Sequence, residues 1–230
     1  MFTYYWQYYG FNCVELNFTF YQMPSRKTIL NLLRRAPAGF KFAIKLHGSI
    51  THEKEINNVQ DFLKACNIVS EEGKMIGYLA QFPYGFKYTD DNLGYINKLI
   101  EHFKTENLFL EFRHISWVDK LELFESCDNI YIAIPDLPRI GGLFPLIKSK
   151  KGTIYLRLHG RNPNWFTADE KTRYDYNYSE EELKDLINTV FPETFQKAYV
   201  FFNNCYRGQA LKNALTFRNL VGGEKIGIFG

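Results

Sequence analysis

Short apolar runs alternate along the chain with longer segments whose apolar residues recur every three to four positions. Runs of the first kind read as buried strands and segments of the second as amphipathic helices. The pattern predicts strands at 13–17, 40–45, 76–82, 108–113, 130–134, 153–158 and 197–202. It predicts helices at 1–9, 25–36, 56–70, 90–104, 117–126, 179–190 and 209–220. Gly10 stops the first helix, Ser25 is placed to cap the second, and Ser179 with Glu182 three residues on forms a capping box. Asp90 and Asp91 begin another helix, where the helix dipole favours negative charge. An irregular stretch containing Gly141 and Gly142 follows the strand at 130–134. A long polar and aromatic loop spans 162–178. No strand is predicted after the last helix.

Strands that alternate with helices pair in parallel, and the helices cover the sheet. Seven such units exceed most open sheets, so a TIM-type α/β fold, a (β/α) barrel, is the expected architecture. A length of 230 residues suits one domain spanning 1–230 and is enough for a sizeable core. The aromatic share, 17% with 21 Phe and 16 Tyr, fits a well-filled interior rather than a disordered chain.

In such a barrel chemistry gathers at the carboxyl ends of the strands. Those ends carry Glu15 and Asn17, Lys45 and His47, Gln81, Glu111, Arg113 and His114, Asp136, Arg157 and His159, and Asn203 and Asn204. The stretch from Leu108 to Trp117 is the densest, an apolar strand ending in Glu111, Arg113 and His114. Three chemistries fit. Glu15 or Glu111 can serve as acid or base with His114 or His159 as proton partner. Lys45, Arg113 and Arg157 can clamp a phosphate or carboxylate, with Asn17, His47, Trp117, Asp136, Asn203 and Asn204 lining the ligand. Histidines and carboxylates on several strands also suit a divalent metal, although no HxH or HExxH pattern is present. Against all three stands a structural alternative, in which Glu15, Glu111, Arg113 and Arg157 cancel one another as an ion-pair network.

The formal charge of +3 is too small to imply nucleic-acid binding by itself. A basic run at 148–151, Arg161 and exposed aromatics nevertheless offer a nucleic-acid surface as a second reading. Tyr174, Tyr176 and Tyr178 alternate in the long loop, as a lid or as a seal over the helix beneath. Four separated cysteines form no CxxC pair, and neither a signal peptide nor a run of about 20 apolar residues is visible. A reduced, cytoplasmic protein away from membranes is the expectation. The residues name no cofactor.

The ordered segments Val14-Glu15-Leu16-Asn17 with Thr19-Phe20-Tyr21, Phe40-Lys41-Phe42-Ala43-Ile44-Lys45, Thr51-His52, Gln81-Phe82-Pro83, Glu111-Phe112-Arg113-His114 with Ser116-Trp117, Arg157-Leu158-His159-Gly160, and Phe202-Asn203-Asn204 with Ala210, Asn213 and Ala214 resemble the YecE-like family, domain of unknown function 72. The resemblance covers nearly the whole chain. It implies a TIM barrel related in shape to those of endonuclease IV and the sugar isomerases. It implies no established reaction, and nucleic-acid processing would follow only by analogy of shape. The leading expectation is a barrel enzyme, a hydrolase among the candidates, that binds an anionic, phosphorylated ligand at the carboxyl face. Members of the family usually begin with a strand and a Gly- and aromatic-rich loop that this chain lacks. A gap is therefore expected between the strands at 13–17 and 197–202, with open edges that invite self-association. A shortened, inactive family member is a further alternative.

Overall fold

The computed structural model describes residues 2–169, 172–222 and 226–229. The chain runs α1 (Phe2–Tyr9), β1 (Cys13–Leu16), α2 (Phe18–Tyr21), α3 (Arg26–Leu33), β2 (Lys41–Lys45), α4 (Gly48–Thr51), α5 (Asn58–Cys66), α6 (Ile68–Glu71) and β3 (Met75–Gln81). It continues with α7 (Asp90–Ile100), β4 (Leu108–Glu111), a 3-10 segment (Ile115–Phe124), β5 (Ile130–Asp136), β6 (Thr153–Leu158), α8 (Glu180–Val190), β7 (Lys197–Phe202), α9 (Gln209–Val221) and β8 (Ile226–Phe229). All eight strands belong to one parallel sheet in sequence order, which curls into a TIM-like barrel.

The helix starts follow local chemistry. Ser25 accepts a hydrogen bond from the Thr28 N–H, Thr89 does so from Asn92, and Ser179 with Glu182 closes the predicted capping box. The segment predicted as one helix at 56–70 is two, with Asn67 as the C-cap of α5 and the N-cap of α6.

Two structural features depart from the sequence pattern. The first is β8, which pairs in parallel with β7 in register Ala198↔Ile226 to Phe201↔Phe229 and runs beside β1. It lies in the expected gap and pairs with β7, so the β7 edge is not left open as predicted. Four residues with a central Gly227 are too short a run to stand out by periodicity. The second departure is between β5 and β6. Residues 137–152 contain no helix, so the alternation of strands and helices is interrupted there. The uncovered flank holds a cavity of about 720 Å³, with Leu121, Phe124, Ile130, Ile132 and Ile147 on its apolar side and Glu122, Glu125 and Lys150 among its charged residues.

Period-2 alternation sorts each strand into an outer and an inner face. On β2, Phe42 and Ile44 pack outward in the large cluster beneath the helices, while Ala43 points into the barrel. The inner cluster comprises Cys13, Ala43, Leu79, Phe109, Ala133, Tyr155 and Phe201, with Tyr131 and Tyr199 against it. Two residues further along β1, β2, β4, β6 and β7, the inward positions are Glu15, Lys45, Glu111, Arg157 and Asn203. Apolar packing thus fills the lower barrel, and charge begins one layer above it.

Removing β8 by ending the chain after Gly222 exposes the β7 edge. The shortened protein is expected to unfold at lower denaturant and to associate, read by urea titration and light scattering at stepped concentration.

Candidate functional site

Arg157 is the hub of the upper layer. Its Nη2 lies 2.6 Å from Glu15 Oε1 and its Nε 2.9 Å from Glu15 Oε2, a bidentate pair from β6 to β1. Its Nη1 donates to Glu111 Oε2 on β4 at 2.7 Å. Tyr155, one layer lower, donates its hydroxyl to Glu15 Oε2 at 2.6 Å. Every nitrogen of the guanidinium therefore has a carboxylate partner, and Glu15, Glu111 and Arg157 are all buried. Arg113, which follows β4 on the same face as Glu111, brings its Nε to 2.6 Å from Glu111 Oε1. That approach is an ion-pair contact without hydrogen-bond alignment, since neither atom makes a hydrogen bond.

His159 sits on top. Its Nε2 lies 3.0 Å from Arg113 Nη2 and 3.3 Å from Arg157 Nη1. A guanidinium only donates, so Nε2 is the acceptor and the ring proton is on Nδ1. That Nδ1–H is buried and has no hydrogen-bond partner among the described residues. Burial first, and then the Arg113 charge, hold the His159 pKa well below the ordinary histidine value. Burial alone would raise the Glu111 pKa, but Arg113 and Arg157 outweigh it and hold the carboxyl well below the usual range. Glu111 is a fixed anion, Glu15 is bound bidentately by Arg157, and the imidazole lone pair is already engaged. The ion-pair network predicted as the structural alternative is what the barrel contains.

Lys45 stands apart from that network. It ends β2 at an inward position, and its ammonium makes no hydrogen bond or ion pair with any described residue. Its Nζ rests 4.1 Å from the centroid of the Phe20 ring, and the other side of its neighbourhood is ionic. Burial, reinforced by Arg157, pulls its pKa down to about 7, against the opposing pull of Glu15 and Glu111. His52 packs edge-on against the same Phe20 ring at 4.8 Å. Partial burial, then Lys45 and Arg113, lower the His52 pKa to about 4. The α2 turn is pinned beside β2 because the Thr19 hydroxyl donates to the carbonyl of Lys45 at 2.6 Å.

The loop after β6 covers this group. Trp165 is buried, with its ring 5.5 Å from Tyr174. The Arg113 guanidinium lies 6.0 Å from Trp165, and the His159 ring lies 6.1 Å from Tyr174. Gly160 makes the turn into the loop with φ +86°; a Cβ there would lie 2.5 Å from Tyr176 Cβ. The three alternating tyrosines divide between the two readings. Tyr174 faces the mouth. Tyr178 seals instead, donating to Asp136 Oδ2 at 2.5 Å and accepting from the Gly160 N–H, while Tyr176 donates to Glu182.

Several predicted residues lie elsewhere. His47 and His114 do the same local job: each Nδ1 accepts the backbone N–H of the serine two residues on and caps the following helix. The two His-x-Ser segments carried that signal in the sequence. Neither is placed as a proton partner, and the His114 ring packs at a tilt against Tyr84. Trp117 is buried between Phe86 and Phe112 and donates its indole N–H to the Phe86 carbonyl, so it does not line the mouth. Asp136 is held bidentately by Arg161 as well as by Tyr178, an anchor for the loop rather than a ligand contact. Asn204 ties the Tyr176 carbonyl to Asn213 of α9. Asn17 and Asn203 stand at the ends of β1 and β7, and Asn203 Nδ2 has no partner among the described residues.

The basic run is also engaged. Lys150 pairs with Glu125 at 2.6 Å, and Lys151 donates to the carbonyls of Cys127 and Ile130, so this run clamps a turn instead of presenting a free cationic surface. Among the described residues, no three or more His, Cys, Asp or Glu side chains are grouped to hold a metal ion. The reasoning from sequence missed Trp165 altogether and left His52 unassigned.

This geometry can be set beside known proteins. The sequence profile of the family "Protein of unknown function DUF72" matches residues 1–228. The chain belongs to the DUF72 family. Over 95% of its length and 86% of the relative, it is 24% identical to the UPF0759 protein YunF of Bacillus subtilis (strain 168). It is similar to the crystal structure of a DUF72 family protein from Thermotoga maritima MSB8, with TM-score 0.83 and 38% identity over 96% of this chain and 88% of that one. A DUF72 family protein from Enterococcus faecalis V583 shares the fold, with TM-score 0.82 and 24% identity over 93% and 90% of the two chains. No described helix is long and apolar enough to cross a membrane.

Two outcomes follow from the DUF72 network. Arg157→Met leaves two buried carboxylates without their shared partner and should lower the unfolding free energy by roughly 3–5 kcal/mol. Arg113→Met keeps Arg157 on Glu111 and should cost less; urea unfolding of the two variants gives the comparison. Wild-type stability should also fall with acid. Below the ordinary histidine value of 6.5 the unfolded chain takes up a proton that buried His159 refuses. Below the carboxylate value of 4.5 it takes up another that Glu111 refuses, so the decline steepens. Urea midpoints at stepped pH measure both windows.

Proposed function

We propose that this DUF72 barrel, working as one domain, binds a small anionic ligand at the carboxyl-end mouth and acts on it as an enzyme. The supporting observation is the balance of groups at the mouth. Glu15 and Glu111 are matched by Arg157 and Arg113, which leaves Lys45 as an unmatched positive group when protonated. Donors without a hydrogen-bond partner lie nearby: the His159 Nδ1–H and the Asn203 amide, beside the Lys45 ammonium, while the unbonded Glu111 Oε1 is already in ionic contact with Arg113. A ligand rich in acceptors, such as a phosphate or carboxylate, satisfies them. Trp165 and Tyr174 provide a flat apolar wall for the rest of the molecule.

The proposed roles differ from those of a simple three-cation clamp. Arg157 maintains the carboxylates and is the base of the site. Arg113 and Lys45 face the ligand, and Arg113 offers its remaining guanidinium edge. Glu15 and Glu111, locked by guanidinium groups, are poor bases; the group able to exchange a proton near neutral pH is Lys45.

Calorimetric titration with inorganic phosphate is the test. Lys45→Met should weaken binding by about tenfold or more, the scale of one lost charge-assisted hydrogen bond, and leave the urea midpoint no lower. Wild-type affinity should decline as pH rises through about 7, where Lys45 loses its charge. Unchanged affinity in Lys45→Met would remove the proposal.

A further inference from the structure

We propose that Lys45 is a covalent site, whose amine condenses with the carbonyl carbon of a small anion, a keto acid or a phosphorylated carbonyl compound, to form an iminium. This rests on the anion-binding reading above and narrows it to ligands that carry a C=O group.

The geometry is that of a nucleophile. Lys45 is fixed at a strand end, points into the mouth by the alternation of β2, and keeps its nitrogen free of hydrogen bonds and ion pairs with described residues. The Phe20 ring, 4.1 Å away, supplies an apolar contact on one side. The α2 turn that carries this ring is fastened to the Lys45 carbonyl by Thr19, so ring and amine are positioned together. The other groups acting on the amine are Glu15 from β1, Glu111 and Arg113 from β4, Arg157 from β6, and His52 after α4. Among these, both carboxylates are already bound to guanidinium groups, so none holds the lysine as an ammonium through a direct pair. The arrangement lowers the proton affinity of the nitrogen, to a pKa of about 7. At neutral pH such an amine is neutral roughly a thousandfold more often than an ordinary lysine. A lysine whose role was only to bind an anion would gain nothing from that loss of charge.

The chemistry balances without a further reactant. The Nζ lone pair forms the N–C bond, and the carbonyl π pair moves to oxygen. A proton passes from nitrogen to that oxygen to give the carbinolamine. With one more proton from solvent the hydroxyl leaves as water, and the nitrogen lone pair closes the C=N bond. Arg113, whose charge acts on the same amine, would hold the anionic end while this occurs. The iminium then withdraws electrons from the adjacent carbon, which is the use such a site has in catalysis.

The experiment is reductive trapping on the full chain. Wild type, Lys45→Arg and Lys45→Met are incubated with pyruvate or with the neutral aldehyde glycolaldehyde, in cyanoborohydride at stepped pH. Intact mass and peptide mapping locate any secondary amine, and calorimetry with inorganic phosphate runs in parallel. The expected result is one pyruvate adduct per chain, on Lys45, absent from both variants, rising with pH through about 7 and suppressed by phosphate. Phosphate binding that depends on Lys45 without any adduct there overturns the covalent inference and leaves the anion reading standing. A glycolaldehyde adduct on Lys45 with no phosphate binding and no pyruvate adduct overturns the anionic substrate class and, with it, the anion reading. Adducts spread over surface lysines, with Lys45 no more labelled than the rest, overturn the inference entirely.

Discussion

The upper barrel depends on the burial of one guanidinium between two carboxylates. Taking ions out of water costs several kcal/mol each, and their attraction compensates only when geometry is good and the remaining donors are satisfied. Arg157 meets that condition because its planar fork reaches Glu15 with two nitrogens and Glu111 with the third. A lysine has no such fork and would leave one carboxylate unmatched. The three residues come from β6, β1 and β4, so the contact spans the barrel and fixes those strands relative to one another at the level where the ligand would enter.

That same contact decides which residues are available for chemistry. Carboxylates at strand ends are the first candidates for acid–base work, but here Glu15 and Glu111 are each bound by guanidinium groups. His159, the obvious proton carrier, faces two guanidinium groups with its lone pair. Fixing these groups leaves the neighbouring lysine half-buried beside two guanidinium groups, where its charged form is disfavoured despite Glu15 and Glu111. The network is thus structural in its own bonds and chemical in its effect on Lys45. The two readings of the strand-end charges, ion-pair network and reactive site, describe adjacent parts of one arrangement.

Much of this was legible in the chain. The seven strands 13–202 are present, because runs such as Leu108–Glu111 and Thr153–Leu158 are apolar on both faces, as parallel strands covered by helices must be. The clustering of Glu15, Glu111, Arg113, Arg157 and His159 also followed from period-2 counting at strand ends. What strand position could not supply was the partner of each group. Asp136 and Arg157 both lie at strand ends, yet Asp136 is bound by Arg161, three residues past the end of β6, and by Tyr178, much further along the chain. His47 and His114 misled for a related reason: both stand just past strands, where catalytic groups collect, but a serine two residues on turns each ring toward its own backbone. β8 escaped because four residues flanked by glycine carry too little pattern to be read.

Register links the fold to the reactivity of the site. On β2 the sequence Phe42-Ala43-Ile44-Lys45 places the aromatic and the isoleucine beneath the helices and the alanine and lysine inside. A slip of one residue would exchange these faces, driving the lysine into the apolar layer under α3 and α5 and the bulky Ile44 into the mouth. The ladder Glu15↔Ala43 and Lys45↔Leu79 prevents it, as does the fit of small Ala43 among the large inner residues Phe109 and Tyr155. The small residue one layer below Lys45 is therefore part of the site. It lets the large residues Phe109 and Tyr155 pack in the layer beneath the charged groups.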